Sequence, residues 1–224
     1  MTPVRSVQRV VNSLGRCYSA QAASIQIPDL NGAKAFELFD QPKVIVPAFE
    51  FQRWAGNGLS QYVYRSMVEK EYTKVGFLNG ANQAIDLSAH LIRTRNWGRL
   101  RSIMTAKCVE RVINSTSSIT DEALKEKLTF SYENGDVVHS FLHSTILTGD
   151  KMFKLSENGS FIFCGTVVSF INVSGSPLRP MTISKLSRHM EKLIVVNMTI
   201  GRSLKPVGPW LITNINFFDY PSNV

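Results

Sequence analysis

The chain of 224 residues carries 25 Lys and Arg against 17 Asp and Glu, a formal charge of +8 with a pI near 9.5, and 44% of it is hydrophobic. That length and apolar content suit one domain with its own core plus a dispensable end, and the basic balance favours anionic partners such as RNA or acidic phospholipid headgroups. The apolar runs fall far below the roughly 20 residues that span a bilayer, so membrane contact is expected to be peripheral.

In MTPVRSVQRVVNSLGRCYSAQ the bases Arg5, Arg9 and Arg16 precede any acid. On a helix they fall close together, opposite Val7, Val10, Val11 and Leu14, which makes a basic amphipathic segment. Arg-rich, Ser-bearing and acid-free, it reads as a mitochondrial presequence, residues 1–18, with processing between Tyr18 and Ser19. A frayed basic tail is the other reading. Removing it leaves +5 and takes away Cys17. A matrix address makes the four glycosylation patterns at Asn114, Asn158, Asn172 and Asn197 chance matches. Cys17, Cys108 and Cys164 have no metal-ligand spacing and are expected as reduced thiols.

Residues 19–58 hold Pro28, Pro42 and Pro47 with little periodicity and are predicted to be a linker, with one short element around Ala33 to Phe39. Gly56-Asn57-Gly58 reads as a turn; no Lys-Ser/Thr pair follows to make it a phosphate loop. From Leu59 to Val75 a wide, aromatic stripe of Leu59, Tyr62, Val63 and Met67, with Tyr64, Val68 and Tyr72 beside it, predicts a helix, either a core helix or one lying at a membrane interface. Phe77, Gly80, Ala81, Ala84, Leu87, Ser88 and Leu91 recur at helical spacing, and their small members suit close approach to a sheet. Trp97, Leu100 and Met104 mark a short turn. Thr105 and Thr120 read as helix N-caps, and Cys108, Val109, Val112 and Ile113 form the buried side between them.

After residue 135 the period becomes two. Val137 to Leu147 is a predicted strand, Thr148-Gly149-Asp150 a bend, Lys151 to Leu155 a continuation, and Glu157-Asn158-Gly159 a hairpin turn. Ser160 to Val173 is a long strand with apolar side chains on both faces, so it belongs mid-sheet, with the helical patterns before residue 130 and a bound partner as the candidates to cover its faces. Ser174 to Met190 reads as an extended basic connection. Leu193 to Ser203 and Trp210 to Tyr220 are the last strands, with Ile194, Val196, Met198 and Ile200 sharing one face and Leu211, Ile215 and Phe217 another. Residues 221–224 form a tail. Helices first and antiparallel strands afterwards predict an α+β domain.

The segments FLNGANQAIDLSAHLIRTRNWGRLRSIMTAKCVERV, VVHSFLHSTILTGD and NGSFIFCGTVVSFI resemble the import-motor-tether-like domain family of mitochondria. That family includes the translocase's motor tether, a membrane-associated mitoribosomal protein and the matrix AAA peptidase-interacting protein, and the chain looks most like the last. The resemblance spans residues 59–220. It implies a cone-shaped fold like nuclear transport factor 2, about four strands with helices on the concave side, and a matrix protein peripheral to the inner membrane. As partners it implies matrix AAA protease subunits and a small inner-membrane client such as the calcium uniporter regulator. The ribosomal branch implies instead a tether that holds the mitoribosome at the anionic inner membrane. The chain departs from the family in the length of the connection at 174–190.

No enzyme, cofactor or metal site is expected from the motifs. His139 and His143 share a predicted strand face with no third ligand beside them, and no Gly-x-Ser-x-Gly elbow is present. Isomerases of this fold class place a carboxylate base inside the cone, and Asp86 is the nearest candidate for that reading, although the helical pattern sets it near the polar side. Arg93, Arg95, Arg99, Arg101, Lys107 and Arg111, against the single acid Glu110, form either a patch for lipid headgroups or RNA, or a solvated helix face.

Overall fold

A computed structural model of the chain describes residues 36–39, 43–45, 51–149, 161–175, 178 and 182–219. The presequence, the processing site at Tyr18 and Ser19, Cys17, the Lys151 to Leu155 strand, the Glu157-Asn158-Gly159 hairpin and the tail at 221–224 lie outside the described residues. Among the described residues five helices precede the sheet: α1 (Phe51–Met67), α2 (Lys74–Arg93), α3 (Trp97–Ile103), α4 (Ala106–Thr116) and α5 (Asp121–Lys127). Strands β1 (Val137–Gly149), β2 (Phe161–Asn172), β3 (Leu193–Ser203) and β4 (Leu211–Asp219) follow, with a short helix α6 (Ile183–Leu186) before β3. The strands pair antiparallel in the order β1-β2-β3-β4, so the chain is α+β with a four-stranded meander. Among the described residues no helix is long and apolar enough to cross a membrane.

The period-two pattern of the strands sorts the core into two layers. Val167 and Ile171 of β2, with Ile194, Val196, Met198 and Ile200 of β3, meet the apolar sides of α2 to α5 in one cluster. Each fully buried aliphatic side chain there contributes about 1.5–3 kcal/mol of transfer free energy. Asn82 of α2 is the polar insert: its amide donates to Ser140 Oγ at 3.0 Å and accepts from Ser169 Oγ at 2.8 Å, so helix and sheet are pinned at one register. The other face carries Val138, Val168, Phe170, Val195 and Phe218, and the chain covers it with Val44, Ile45, Leu178 and Leu186.

That cover corrects two expectations. The connection after β2 is not simply extended: α6 and a 3-10 turn at Ser187–Lys192 occupy its second half, because Leu186 is fully buried on the outer face and draws the chain down onto it. Part of the predicted linker is also integral to the domain. Leu38 is buried, with its N–H donating to Phe217 at 2.9 Å, and Val44 exchanges two 2.8 Å hydrogen bonds with the Asn197 side chain.

The domain also begins before residue 59. Gly56-Asn57-Gly58 is not a turn but lies inside α1, which starts at Phe51. Two mid-helix glycines cost about 1 kcal/mol each in propensity, and tertiary contacts offset this. Gly56 is buried, Asn57 Oδ1 accepts from Thr145 N–H at 2.7 Å, Asn57 Nδ2 donates to the His143 carbonyl at 3.1 Å, and Ser60 Oγ meets Thr145 Oγ1 at 2.6 Å. The helix thus plugs the edge of β1 beside the bulge at Leu142/Ser144. Two smaller differences follow from register. Thr148 and Gly149 continue β1 opposite Ile162 and Phe161 rather than bending, and an irregularity at Thr199/Ile200 puts Ile212, not Leu211, in the core with Ile215 and Phe217.

Candidate functional site

At the end of the helix layer formed by α1 and α2, the aliphatic core gives way to rings. Tyr64 of α1 stacks on Phe163 of β2 with centroids 4.2 Å apart, and Tyr72 meets both edge-on at 5.1 and 5.8 Å. Phe77 of α2 packs edge-on to Trp210 at 5.4 Å. Such pairs contribute roughly 0.5–1.5 kcal/mol each beyond their burial. Local sequence places them: α1 ends at Met67, Thr73 caps α2 by accepting from Gly76 N–H at 3.0 Å, and the turn between brings Tyr72 inward. Gly165 makes room for the Phe77 ring, since a Cβ there would lie 2.6 Å from Phe77 Cζ.

Three of these rings, Tyr72, Phe77 and Trp210, line a half-open cleft of about 260 Å³, together with Ala81 and Ile200. Gly76 and Gly80 form one wall, and Glu69, Glu71, Tyr72 and Thr73 form the rim. Behind Trp210 lies Arg202, whose side chain is only 17% exposed. Its guanidinium is 5.1 Å from the indole, donates to Tyr64 Oη at 3.0 Å and Glu69 Oε2 at 3.1 Å, and reaches the Gly208 carbonyl through Nε at 3.1 Å. Tyr64 in turn donates to Glu69 Oε2 at 2.6 Å. Burial and this bond to Glu69 raise the Tyr64 pKa, with Arg202 opposing, and burial followed by the Glu69 charge pushes Tyr72 up to about 12. Both phenols therefore keep their protons at neutral pH. The site presents a rigid apolar surface with fixed donors rather than a group poised to transfer a proton.

A second surface runs along α1. The predicted stripe is turned outward: Tyr62 is 70% exposed and Met67 67%, with Leu59 and Trp54 exposed beside them. The buried side is Ser60 and Tyr64 instead. The core-helix reading holds for Tyr64, with Val68 and Tyr72 packed beside it, and is corrected for the stripe itself, because the polar contacts of Asn57 and Ser60 with β1 turn that side outward. Helix α1 carries Arg53 and Arg65 and no acid.

The six bases of the proposed patch divide. Arg93 donates to Thr129 Oγ1 at 2.6 Å, Arg95 binds Asp121 at 2.6 Å, and Arg111 stacks over Phe39 at 4.8 Å. Arg99, Arg101 and Lys107 are exposed on α3 and α4. His139 and His143 do not act together. His139 packs against Phe141 and Phe170 in the outer layer, where burial lowers its pKa, whereas the bulge turns His143 Nε2 to within 2.7 Å of Arg53 Nη1. Among the described residues no cluster of three metal-ligating side chains occurs. Asp86, the isomerase candidate, accepts from Tyr132 N–H at 3.0 Å and holds the turn before β1. Asn172 is 3% exposed and Asn197 is bonded to Val44, which removes both from reach of a modifying enzyme.

Arg202 and Glu69 were not singled out by sequence reasoning, which placed Tyr64, Tyr72, Phe77, Phe163 and Trp210 on their own elements without bringing them together. The signal that could have found them is an arginine placed at the end of an otherwise apolar strand, IVVNMTIGRS, next to a Pro-Trp pair. No family model matches the chain, and no curated protein matches it either.

Proposed function

We propose that the protein is a binding module of the mitochondrial matrix, peripheral to the inner membrane, that shelters apolar segments of newly imported inner-membrane proteins in the aromatic cleft. The carrying observation is the cleft itself: about 260 Å³, open to solvent, with Phe77, Ile200 and Trp210 lining it. Open apolar clefts with few polar groups receive side chains of a partner more readily than they enclose a reaction. In this reading the sheet and helices form a cone like that of nuclear transport factor 2, with the cleft at its mouth. The exposed Tyr62, Leu59 and Met67 of α1, on a helix without acids, rest at the headgroups of an anionic bilayer.

The basic amphipathic N-terminus supports the address, and the resemblance supports the company: matrix AAA protease subunits and a small client such as the calcium uniporter regulator. The ribosome-tether reading draws less support, since Arg93, Arg95 and Arg111 are engaged within the chain. A photo-crosslinking residue in place of Gly80, where nothing lies within 4 Å of an added Cβ, tests the proposal in intact mitochondria. Adducts with inner-membrane proteins, absent when the same group replaces exposed Glu126, are expected. Proximity labelling should recover protease subunits at low and high salt. Adducts dominated by large-subunit ribosomal proteins and lost in salt overturn it.

A further inference from the structure

We infer that the segment held by the cleft is an apolar helix carrying a lysine or arginine at one end, read by Glu71 and the neighbouring rings. The inference rests on the reading of the cleft as a binding site and names what that site selects.

Charge is the first argument. The chain as a whole is +8, yet among the described residues the two charged groups lining the cleft are Glu69 and Glu71. Glu69 is matched by Arg202 at 3.1 Å, so Glu71, exposed at the mouth, sets the sign an entering segment meets; Lys70 and Lys74 flank it in sequence without lining the cleft. The rings add to this preference. Arg202 already lies 5.1 Å from the Trp210 ring, which shows that the wall accepts a guanidinium on its π-face, and Tyr72 offers a second ring beside Glu71.

Shape is the second argument. Gly76 and Gly80 are one helical turn apart on α2 and both line the cleft, and an added Cβ at Gly80 would meet nothing within 4 Å. At Gly76 an added Cβ would meet the cap, Thr73 Oγ1, at 2.9 Å, so the bare stretch of wall is the one at Gly80, where the backbone of a second helix can approach closely; a bulkier residue there would admit only side-chain tips. A volume of about 260 Å³ takes a few aliphatic side chains from one face of such a helix, not a whole globular surface.

The test uses the full chain and labelled Leu/Ala-rich helical peptides that differ only in one terminal turn, carrying lysine, glutamine or glutamate there. Fluorescence anisotropy should rank them lysine, glutamine, glutamate. The lysine advantage over glutamine should be about two- to fivefold, the range of an exposed ion pair, and should shrink with salt. In Glu71→Gln the lysine and glutamine peptides should bind alike. Equal binding of all three peptides to the wild type, with all three lost in Trp210→Ala, overturns the charge selection and leaves the cleft reading standing. Binding of none overturns the cleft reading itself. Crosslinks from position 80 to a second copy of this chain alone, or to lipid alone, also overturn the inference.

Discussion

The helix-facing side of the sheet is built differently at its two ends, and the difference separates what holds the fold from what is left for a partner. At one end Leu38, Val112, Leu124, Leu128, Ile194 and Phe217 are essentially sealed from solvent. The seal is tied by Ser115 donating to the Leu38 carbonyl and by Lys127 bonding Asp219 at 2.9 Å. At the other end the same layer is made of Tyr64, Tyr72, Phe77, Phe163 and Trp210, and it stops short of closing. Aliphatic side chains interdigitate to crystal-like density, whereas large flat rings meet at angles and leave a cleft where no side chain fills the gap. The first end should therefore be sensitive to lost volume, the second to changes in shape and charge.

The largest effect expected is at the sealed end. Phe217→Ala removes a fully buried ring and should cost about 3–5 kcal/mol in urea denaturation, while Trp210→Ala, which loses a half-buried ring and its contacts with Phe77, Tyr64 and Phe163, should cost less, about 2–3 kcal/mol. Similar losses for the two would erase the contrast between the ends.

Next comes Gly165→Ala. An added Cβ would stand 2.6 Å from Phe77 Cζ, so the ring must move, and the direction open to it is the cleft. Overpacking of this kind costs about 1–3 kcal/mol. Circular dichroism melts should show a lowered midpoint, and binding of apolar peptides should fall with it. Lowered stability with binding intact would mean that the ring yields elsewhere.

Glu69→Gln is smaller again. It removes the anion that Arg202 and Tyr64 share, leaving a largely buried guanidinium with the Gly208 carbonyl and the indole face. A cost of about 1–2 kcal/mol is expected, in the range for hydrogen bonds to charged groups, with no matching loss from Lys127→Met if only the aromatic end depends on its ion pair. Equal costs would make the two ion pairs equivalent and weaken the comparison.

These two ends were not equally legible beforehand. The strands Leu193–Ser203 and Phe161–Asn172 and the helix face of Cys108, Val109 and Val112 follow from periodicity, because each residue's fate is set by near neighbours on its own element. The cap at Thr120 is similarly local, accepting from Ala123 N–H at 3.3 Å. What stayed hidden depends on distant partners. Gly56-Asn57-Gly58 looks like a turn until Thr145 and His143 are beside it. The bulge at Leu142/Ser144 breaks the alternation that seemed to put His139 and His143 on one face. The ring cluster and the cleft beside it together gather residues from α1, α2, β2 and β3, from the turn at 68–73 and from Trp210 ahead of β4; no window of sequence contains them. A stripe such as Leu59, Tyr62 and Met67 shows that a helix is amphipathic without showing which side is inward, since the contacts of Asn57 and Ser60 with β1 turn inward the side that carries Ser60 and Tyr64.

The smallest effect expected distinguishes the ends by pH. Burial pushes the Cys108 thiol of α4, in the aliphatic layer, up to about 11, and the Tyr72 phenol at the aromatic end up to about 12. In the unfolded chain these groups titrate near about 8.5 and about 10. Between its unfolded and folded values each group binds more protons when folded, so the stability it lends is complete below the unfolded value and is lost as pH rises through the folded one. Cys108→Ala should therefore flatten the fall of the melting temperature from about pH 8.5 upward, whereas Tyr72→Phe should leave that limb alone and flatten only the part above about pH 10. Melting curves at half-unit steps resolve the two windows, with a reductant present to keep the thiols free. If Tyr72→Phe changes the slope below pH 9 as strongly as Cys108→Ala, the two ends titrate as one unit, and the aromatic end is coupled to the sealed core more tightly than its open packing implies.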